Sequence, residues 1–352
     1  MFLSLILLSF LLVLKSSFYD AAAGGNKDEL INIFQKTQSL NITKEVINAQ
    51  DESGKSALFL SIQNQHFEAA EYIIQVGADV NTATNEKDAR FEGDTPLMLA
   101  SSHGHFSTVD MLIQKDSKID IKRKDGFHSA QFAAQNGHLD VLKLFIQKSP
   151  NVTDLKGYKG RTPLVAASKN GHLSIVKYLL SLHPQIDIDS QENDGSTPLI
   201  WATYKNHTNI VELLLLEGAN ATIKDNSGYA SVHYAAKKGY IKVVKLITKQ
   251  FPYIVNLKGS DGKSPLAIAS INGHLDIVKY LVSLPQTVVD IQDNNGYTSL
   301  MFASYYNHIA IVQFLLENGA DKSVKDNVGN KALDWATSAN NLNVIELLKQ
   351  WV

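Results

Sequence analysis

The chain has 352 residues, 33 Lys+Arg against 35 Asp+Glu, 44% apolar residues and no cysteine. The near-zero net charge excludes a broadly basic nucleic-acid binder, and the apolar content excludes wholesale disorder. The missing thiol excludes disulfides, thiolate metal sites and a cysteine nucleophile, while the length alone predicts two globules at about 100–200 residues per domain.

The first element is apolar. Phe2 to Leu14 reads FLSLILLSFLLVL, thirteen residues without a charge, followed by Lys15. A helix that spans a bilayer needs about 20 apolar residues, so this run is short for a span and fits the core of a secretory leader. Ala21, Ala22 and Ala23 supply the small residues of a cleavage site, which predicts a leader over residues 1–23 cut after Ala23. The region before the run carries no Lys or Arg, and the alternative is an uncleaved anchor or a misplaced start. Lys27-Asp28-Glu29-Leu30 spells a retention signal that is read only at a C-terminus, and here it stands near the other end. Sequons at Asn41, Asn151, Asn206 and Asn220 become glycan candidates only if a leader operates.

Beyond this point the chain repeats itself. GDTPLMLASSHGH (93–105), GRTPLVAASKNGH (160–172), GSTPLIWATYKNH (195–207) and GKSPLAIASINGH (262–274) are one pattern. Weaker copies begin at Gly54, Gly126, Gly228, Gly296 and Gly329. The nine glycines are 39, 33, 34, 35, 33, 34, 34 and 33 residues apart. Leu and Val pairs at helical spacing follow each copy, as in HLSIVKYLLSL and HLDIVKYLVSL. Thr95, Thr162 and Thr197 precede Pro at a first helical position, and Gly104, Gly137, Gly171 and Gly273 fit tight turns between helices.

A period near 33 carrying T-P-L-x-x-A and then G-H resembles the ankyrin repeat, and the resemblance covers about residues 28–352. It implies an all-α ankyrin-repeat solenoid of helix-turn-helix pairs with projecting β-turn loops. The alanines Ala100, Ala133, Ala167, Ala202, Ala235, Ala269, Ala303 and Ala336 are then expected to keep the inner helices thin where repeats meet. Residues 24–50 become an N-terminal capping half-repeat, with Glu29 to Lys36 in its second helix, and 51–352 the array of about nine repeats. The 39-residue step places a surface insertion around Thr82 to Glu92.

Chemistry is sparse. No H-E-x-x-H, G-x-x-x-x-G-K-[ST], G-x-S-x-G or G-x-G-x-x-G occurs, so no enzyme and no cofactor are expected. The acidic run from Asp187 to Asp194 lacks the spacing of a calcium loop and reads as a turn. His105, His138, His172, His207, His274 and His308 recur with the repeat. The resemblance implies that they are hydrogen-bonding turn residues, not a metal array.

Function is then expected on the surface, as a non-catalytic scaffold for a protein or peptide partner. By resemblance the partner docks on the concave face, where the residues ahead of Gly-His and those flanking the turn glycine project. In the later repeats these are Tyr204, Lys205, Tyr229, Lys237, Lys238, Ile271, Tyr297, Tyr305 and Tyr306. Tyrosine is a common interface anchor, and residues 228–261 carry six lysines against one aspartate, which points to an acidic, extended segment. Phe91, Phe127 and Tyr158 form a second candidate patch. The balanced charge argues against nucleic acid, and a membrane enters only if residues 1–23 stay attached. A leader predicts a secreted or lumenal monomer, with a cytoplasmic adaptor or regulatory subunit as the alternative.

Overall fold

A computed structural model describes residues 2–85, 92–182 and 186–351, with residues 2–7 as backbone alone. Every regular element among them is helical, apart from an isolated bridge pairing Gln50 with Ser56. The contacts divide the chain into two units, 1–179 and 180–352.

In the first unit, α1 (Phe2–Gly24) pairs with α2 (Lys27–Ser39), and a short α3 (Thr43–Ile47) follows. Three further pairs come next: α4 (Ala57–Gln63) with α5 (Phe67–Gln75), α6 (Pro96–His103) with α7 (Phe106–Gln114), and α8 (Ser129–Asn136) with α9 (Leu139–Lys148). Then come α10 (Pro163–Asn170) and α11 (Leu173–Leu180), which runs to the junction. Inner helices α1, α4, α6, α8 and α10 pack in that order, and outer helices α2, α5, α7 and α9 form a second row.

The second unit repeats the plan. Its pairs are α12 (Pro198–Tyr204) with α13 (Thr208–Leu216), α14 (Ser231–Lys238) with α15 (Ile241–Gln250), and α16 (Pro265–Ile271) with α17 (Leu275–Val282). Then follow α18 (Ser299–Tyr305) with α19 (Ile309–Glu317) and α20 (Ala332–Ser338) with α21 (Leu342–Gln350). The inner row is α12, α14, α16, α18, α20, and the outer row α13, α15, α17, α19, α21.

The local causes are those of the repeated motif. Thr197, Ser264 and Thr298 cap their helices, each hydroxyl accepting from the backbone N–H three residues on at 3.2–3.3 Å. The eight alanines ahead of the inter-helix turn are fully buried, so neighbouring inner helices approach over a methyl group. Gly104 has φ +72°, and a Cβ there would lie 2.2 Å from Nδ1 of His138 in the next repeat. Only glycine meets both conditions. The projecting turns hydrogen-bond to one another: Asn226 N–H donates to Asp194 O (2.8 Å), Asn294 N–H to Asp261 O (3.1 Å) and Asn327 N–H to Asn295 O (3.0 Å).

One feature departs from the expected boundaries. The stretch read as the end of a leader is packed: Phe18 and Ala22 are fully buried, and Leu14 and Ala21 nearly so, against α2, α3 and α4. Packing thus reaches back into residues 1–23, ahead of the half-repeat expected over 24–50. Of the insertion around Thr82 to Glu92, residues 86–91 lie outside the described residues.

Candidate functional site

The turns of the second unit bind their own carboxylates. One oxygen of Asp225 accepts from the backbone N–H groups of Ser227 (2.9 Å) and Tyr229 (3.1 Å). Asp293 does the same with Asn295 and Tyr297, and Asp326 with Val328 and Asn330. Aspartate is favoured here because a short carboxylate reaches the backbone two residues on.

The second oxygen is claimed by an aromatic donor nine residues later. The Tyr234 hydroxyl donates to Asp225, the Trp201 indole to Glu192 in the equivalent turn, and the Trp335 indole to Asp326 at 2.9 Å. The remaining aromatic of this column, Phe302, has no donor. The corresponding Oδ2 of Asp293 is buried with no hydrogen-bond partner, and the Lys263 ammonium stands 3.8 Å away. Lys263 itself pairs with Asp261 at 2.7 Å, and Asp261 also accepts the Tyr229 hydroxyl at 2.5 Å. Burial opposes the Asp261 charge, but the hydrogen bonds from Lys263 and Tyr229 outweigh it and hold the carboxyl below its ordinary range. Burial first, then the Asp261 and Asp225 carboxylates, push the hydroxyls of Tyr229 and Tyr234 respectively well above theirs.

These rings frame three cavities. The first, of about 190 Å³, lies between Trp201, Tyr204 and Tyr234. The second, of about 270 Å³, is bounded by Tyr229, His233, Tyr234, Lys237, Ile271 and Tyr306. The third, of about 250 Å³, is lined by Tyr297, Met301, Phe302, Tyr305, Tyr306 and Trp335. Tyr234 is a wall of the first and second, and Tyr306 of the second and third, so the cavities adjoin along the inner-helix row.

All nine residues singled out in the sequence touch this strip. Tyr204 is edge-on to Trp201 (5.8 Å) and Tyr234 (5.7 Å), with the ammonium groups of Lys205 and Lys238 over its ring at 5.8 and 5.0 Å. Lys237 and Ile271 line the second cavity. Tyr305 meets Tyr306 at 5.1 Å and Trp335 at 5.5 Å. Tyr204, Tyr305 and Tyr306 are exposed, whereas Tyr229 and Tyr297 are half-buried, the latter packed on Trp335 at 4.9 Å. Trp201, Tyr234, Phe302 and Trp335 were not singled out. Their signal was available, because each stands immediately before the buried repeat alanine.

The lysine excess of residues 228–261 divides between faces. Lys237 and Lys238 lie on the strip at the end of α14. Lys242, Lys245 and Lys249 lie on outer helix α15, with Lys245 over the Tyr280 ring at 5.3 Å, and Lys258 donates to Gln292 O. Only part of the positive charge therefore belongs to the candidate site.

In the first unit, Phe127 stacks on Tyr158 (4.6 Å) and Phe132 (4.9 Å), with the Arg123 guanidinium 4.7 Å from the Phe127 ring. Phe91, the other member expected for that patch, lies outside the described residues. A separate cavity of about 260 Å³ has Phe59, Asp94, Met98, Arg123 and Phe132 in its wall.

Four of the six recurrent histidines bridge repeats through a ring-to-carbonyl bond. Nε2 of His138 donates to Ser102 O, of His172 to Gln135 O, of His274 to Lys237 O and of His308 to Ile271 O, at 2.7–3.1 Å. Two histidines outside that set are buried in the stack. His128 occupies a capping position, its Nδ1 accepting from Gln131 N–H while Nε2 donates to Leu155 O. His233 accepts from Ala230 N–H and donates to Leu257 O. Burial lowers both rings to about 4, against a smaller opposing effect of these backbone bonds.

The family model described as ankyrin repeats (3 copies) matches residues 18–125, 130–225, 182–254, 232–326 and 287–350. Among curated proteins, the chain is 27% identical over 213 residues to transient receptor potential cation channel subfamily A member 1 of Homo sapiens. It is 26% identical over 214 residues to the nuclear factor NF-kappa-B p105 subunit of Gallus gallus. These alignments take in 58% and 59% of the chain but only 18% and 21% of those proteins. Alpha-latrocrustotoxin-Lt1a of Latrodectus tredecimguttatus is 32% identical over 38% of the chain and 8% of the toxin. Among solved structures, EF0377, an ankyrin repeat protein, superposes with a TM-score of 0.51 at 28% identity, covering 54% of the chain and 97% of that structure.

Proposed function

The chain belongs to the ankyrin-repeat family, and from that membership we propose that it is a non-catalytic scaffold whose aromatic strip in the second unit grips an extended, acidic segment of a partner protein. The observation that carries this reading is the run of three adjoining cavities walled by Trp201, Tyr204, Tyr234, Tyr306 and Trp335. Successive inner helices stand about 10 Å apart, and an extended chain advances about 3.3 Å per residue, so about three partner residues would occupy each cavity. Alternate side chains would enter, and the exposed tyrosines would supply rigid apolar area at small entropic cost. The carboxylates of Glu192, Asp225, Asp261 and Asp326 are held by ring donors or by Lys263, and Lys205, Lys237 and Lys238 stand exposed beside the rings, with Asp194 the exposed carboxylate in the wall of the first cavity.

Two settings suit such a scaffold: an exported form that sheds residues 1–23, and an adaptor that keeps them. The burial of Phe18, Ala21 and Ala22 supports the second.

The test is affinity capture with the intact chain and with Tyr305→Ala/Tyr306→Ala. Two anchors worth at least about 2 kcal/mol together imply a roughly 30-fold loss of affinity for the captured partner. The melting curve should move little, because both rings are exposed and each edge-on pair contributes only about 0.5–1.5 kcal/mol. Unchanged capture, or loss of partner only together with the fold, would remove the strip as the site.

A further inference from the structure

We propose that the strip reads the order of side chains in its partner: the third cavity takes one large apolar side chain, and the second, about three residues along the segment, takes a carboxylate on Lys237. This inference rests on the strip being the site for an extended segment, and it names what that segment carries.

The third cavity suits an apolar side chain. Among the described residues no charged group is in its wall of Tyr297, Met301, Phe302, Tyr305, Tyr306 and Trp335. The rings stand edge-on to one another: Tyr297 meets Phe302 at 5.6 Å and Trp335 at 4.9 Å, and Tyr305 meets Trp335 at 5.5 Å. Ring faces also attract cations. Here the charges weigh against one. Asp326, the carboxylate behind Trp335, already accepts from that indole and from the Val328 and Asn330 N–H groups, and the Lys263 ammonium lies 5.6 Å from the Phe302 ring. At about 250 Å³ the cavity falls short of the ~300–1,000 Å³ of a small-molecule pocket, so it fits one side chain and not a whole ligand.

The second cavity has polar walls whose groups are mostly turned inward. The Tyr229 hydroxyl donates to Asp261 and the Tyr234 hydroxyl to Asp225. Both ring nitrogens of His233 are bonded to backbone, Asn272 Nδ2 donates to Ile268 O, and Lys263 pairs with Asp261. Lys237 stands exposed in this wall at the end of α14, so its ammonium is the charge that can meet a partner carboxylate. Ile268 and Ile271 line the cavity beside it, and an ion pair formed against apolar surface is screened less than one in open water. Tyr306 belongs to the second and third cavities alike, so one step between inner helices, about 10 Å or about three extended residues, sets the spacing. The first cavity is mixed. Asp194 and Asp225 are in its wall while Lys205 and Lys238 lie over its Tyr204 ring, so it selects no single charge.

The experiment pans a phage-displayed library of random peptides, each about nine residues and so long enough to cross three cavities, on the full chain, on Lys237→Glu and on Tyr305→Ala/Tyr306→Ala. Both variants alter exposed positions, and thermal melts check that each folds like the parent. The parent should enrich, roughly tenfold over the double variant, peptides with Leu, Met, Phe or Trp at one position and Asp or Glu about three positions away. Lys237→Glu should exchange the acidic residue for Lys or Arg and keep the apolar one. Enrichment without that spacing, Lys or Arg in place of the apolar residue, or an acidic preference that survives Lys237→Glu would overturn the assignment and leave the strip as the site. Equal enrichment on the parent and the double variant, or none on the parent, would overturn the strip together with it.

Discussion

Acid should loosen both units through one buried histidine in each. His233 and His128 are neutral in the folded chain, held near 4 against an ordinary 6.5, with burial as the main cause. Because the unfolded chain binds these protons more tightly, stability rises with pH across this range. The contribution is complete above about pH 6.5, is lost as pH falls, and levels off below about 4. At pH 5 an unfolded-state ring is almost fully charged and the folded ring about one-tenth charged, a difference of about 2 kcal/mol per histidine. The cost is local, since a proton on Nδ1 would face the Ala230 N–H at His233 and the Gln131 N–H at His128. Urea unfolding at pH 8 and pH 5 should register it. In His233→Gln, an amide can accept and donate in place of the ring without titrating. That variant should lose about 2 kcal/mol of the pH dependence in the second unit while the first unit behaves as before. If parent and variant respond to pH identically, or if the His233 ring titrates near 6.5 in the folded protein by NMR, the burial argument is wrong.

Three further substitutions probe the stack and its face. Ala303→Leu places three extra carbons between α18 and its neighbours α16 and α20, and should cost about 1–3 kcal/mol in denaturant unfolding. Phe302→Trp supplies the missing donor to the buried oxygen of Asp293 in the register that Trp335 uses with Asp326, and should raise the unfolding free energy by about 1 kcal/mol, read as a higher urea midpoint. Lys237→Glu/Lys238→Glu leaves the core alone and should slow association with the captured partner most strongly at low salt, by stopped-flow measurement. The same reversal on outer helix α15, at Lys242 and Lys249, should leave association nearly unchanged.

What the chain reveals at the level of letters depends on whether a residue's task is local. Thr197 answers a constraint within one turn of backbone, and Gly104 and Ala303 meet the equivalent neighbour in the adjoining repeat, so their roles are legible from the period. The lysines of residues 228–261 were countable but not assignable, because a count along the chain is blind to which of two helix rows each one joins. Trp201, Tyr234 and Trp335 were hidden for a different reason. Standing beside the buried alanine, they look like packing residues, and only the carboxylate nine residues earlier reveals that their polar edges are held and their faces left open. Ala21, Ala22 and Ala23 satisfy the demands of a cleavage site and of a thin inner helix equally well. Small residues carry little information of their own, and the burial of Phe18 and Ala22 against α2, α3 and α4 is a contact that spacing along the chain does not show.

The ring-to-carboxylate pairs also explain how a stack built for self-contact leaves a surface for something else. An aspartate spent on its own turn has one oxygen left over, and burying it unpaired would cost about 1–3 kcal/mol. A tyrosine or tryptophan nine residues later satisfies that oxygen and fixes the ring's angle, so the ring face is presented without a side-chain entropy cost at binding. Asp293 is the exception that tests the rule: its second oxygen has no hydrogen-bond donor, its ring is Phe302, and the charge that faces it is Lys263, whose ammonium also lies 5.6 Å from that same ring. A lysine held by two carboxylates and an aromatic face is poorly placed to leave for a partner. Recognition of acid on this strip therefore falls to Lys205, Lys237 and Lys238, and the Phe302 position should tune stability more than affinity.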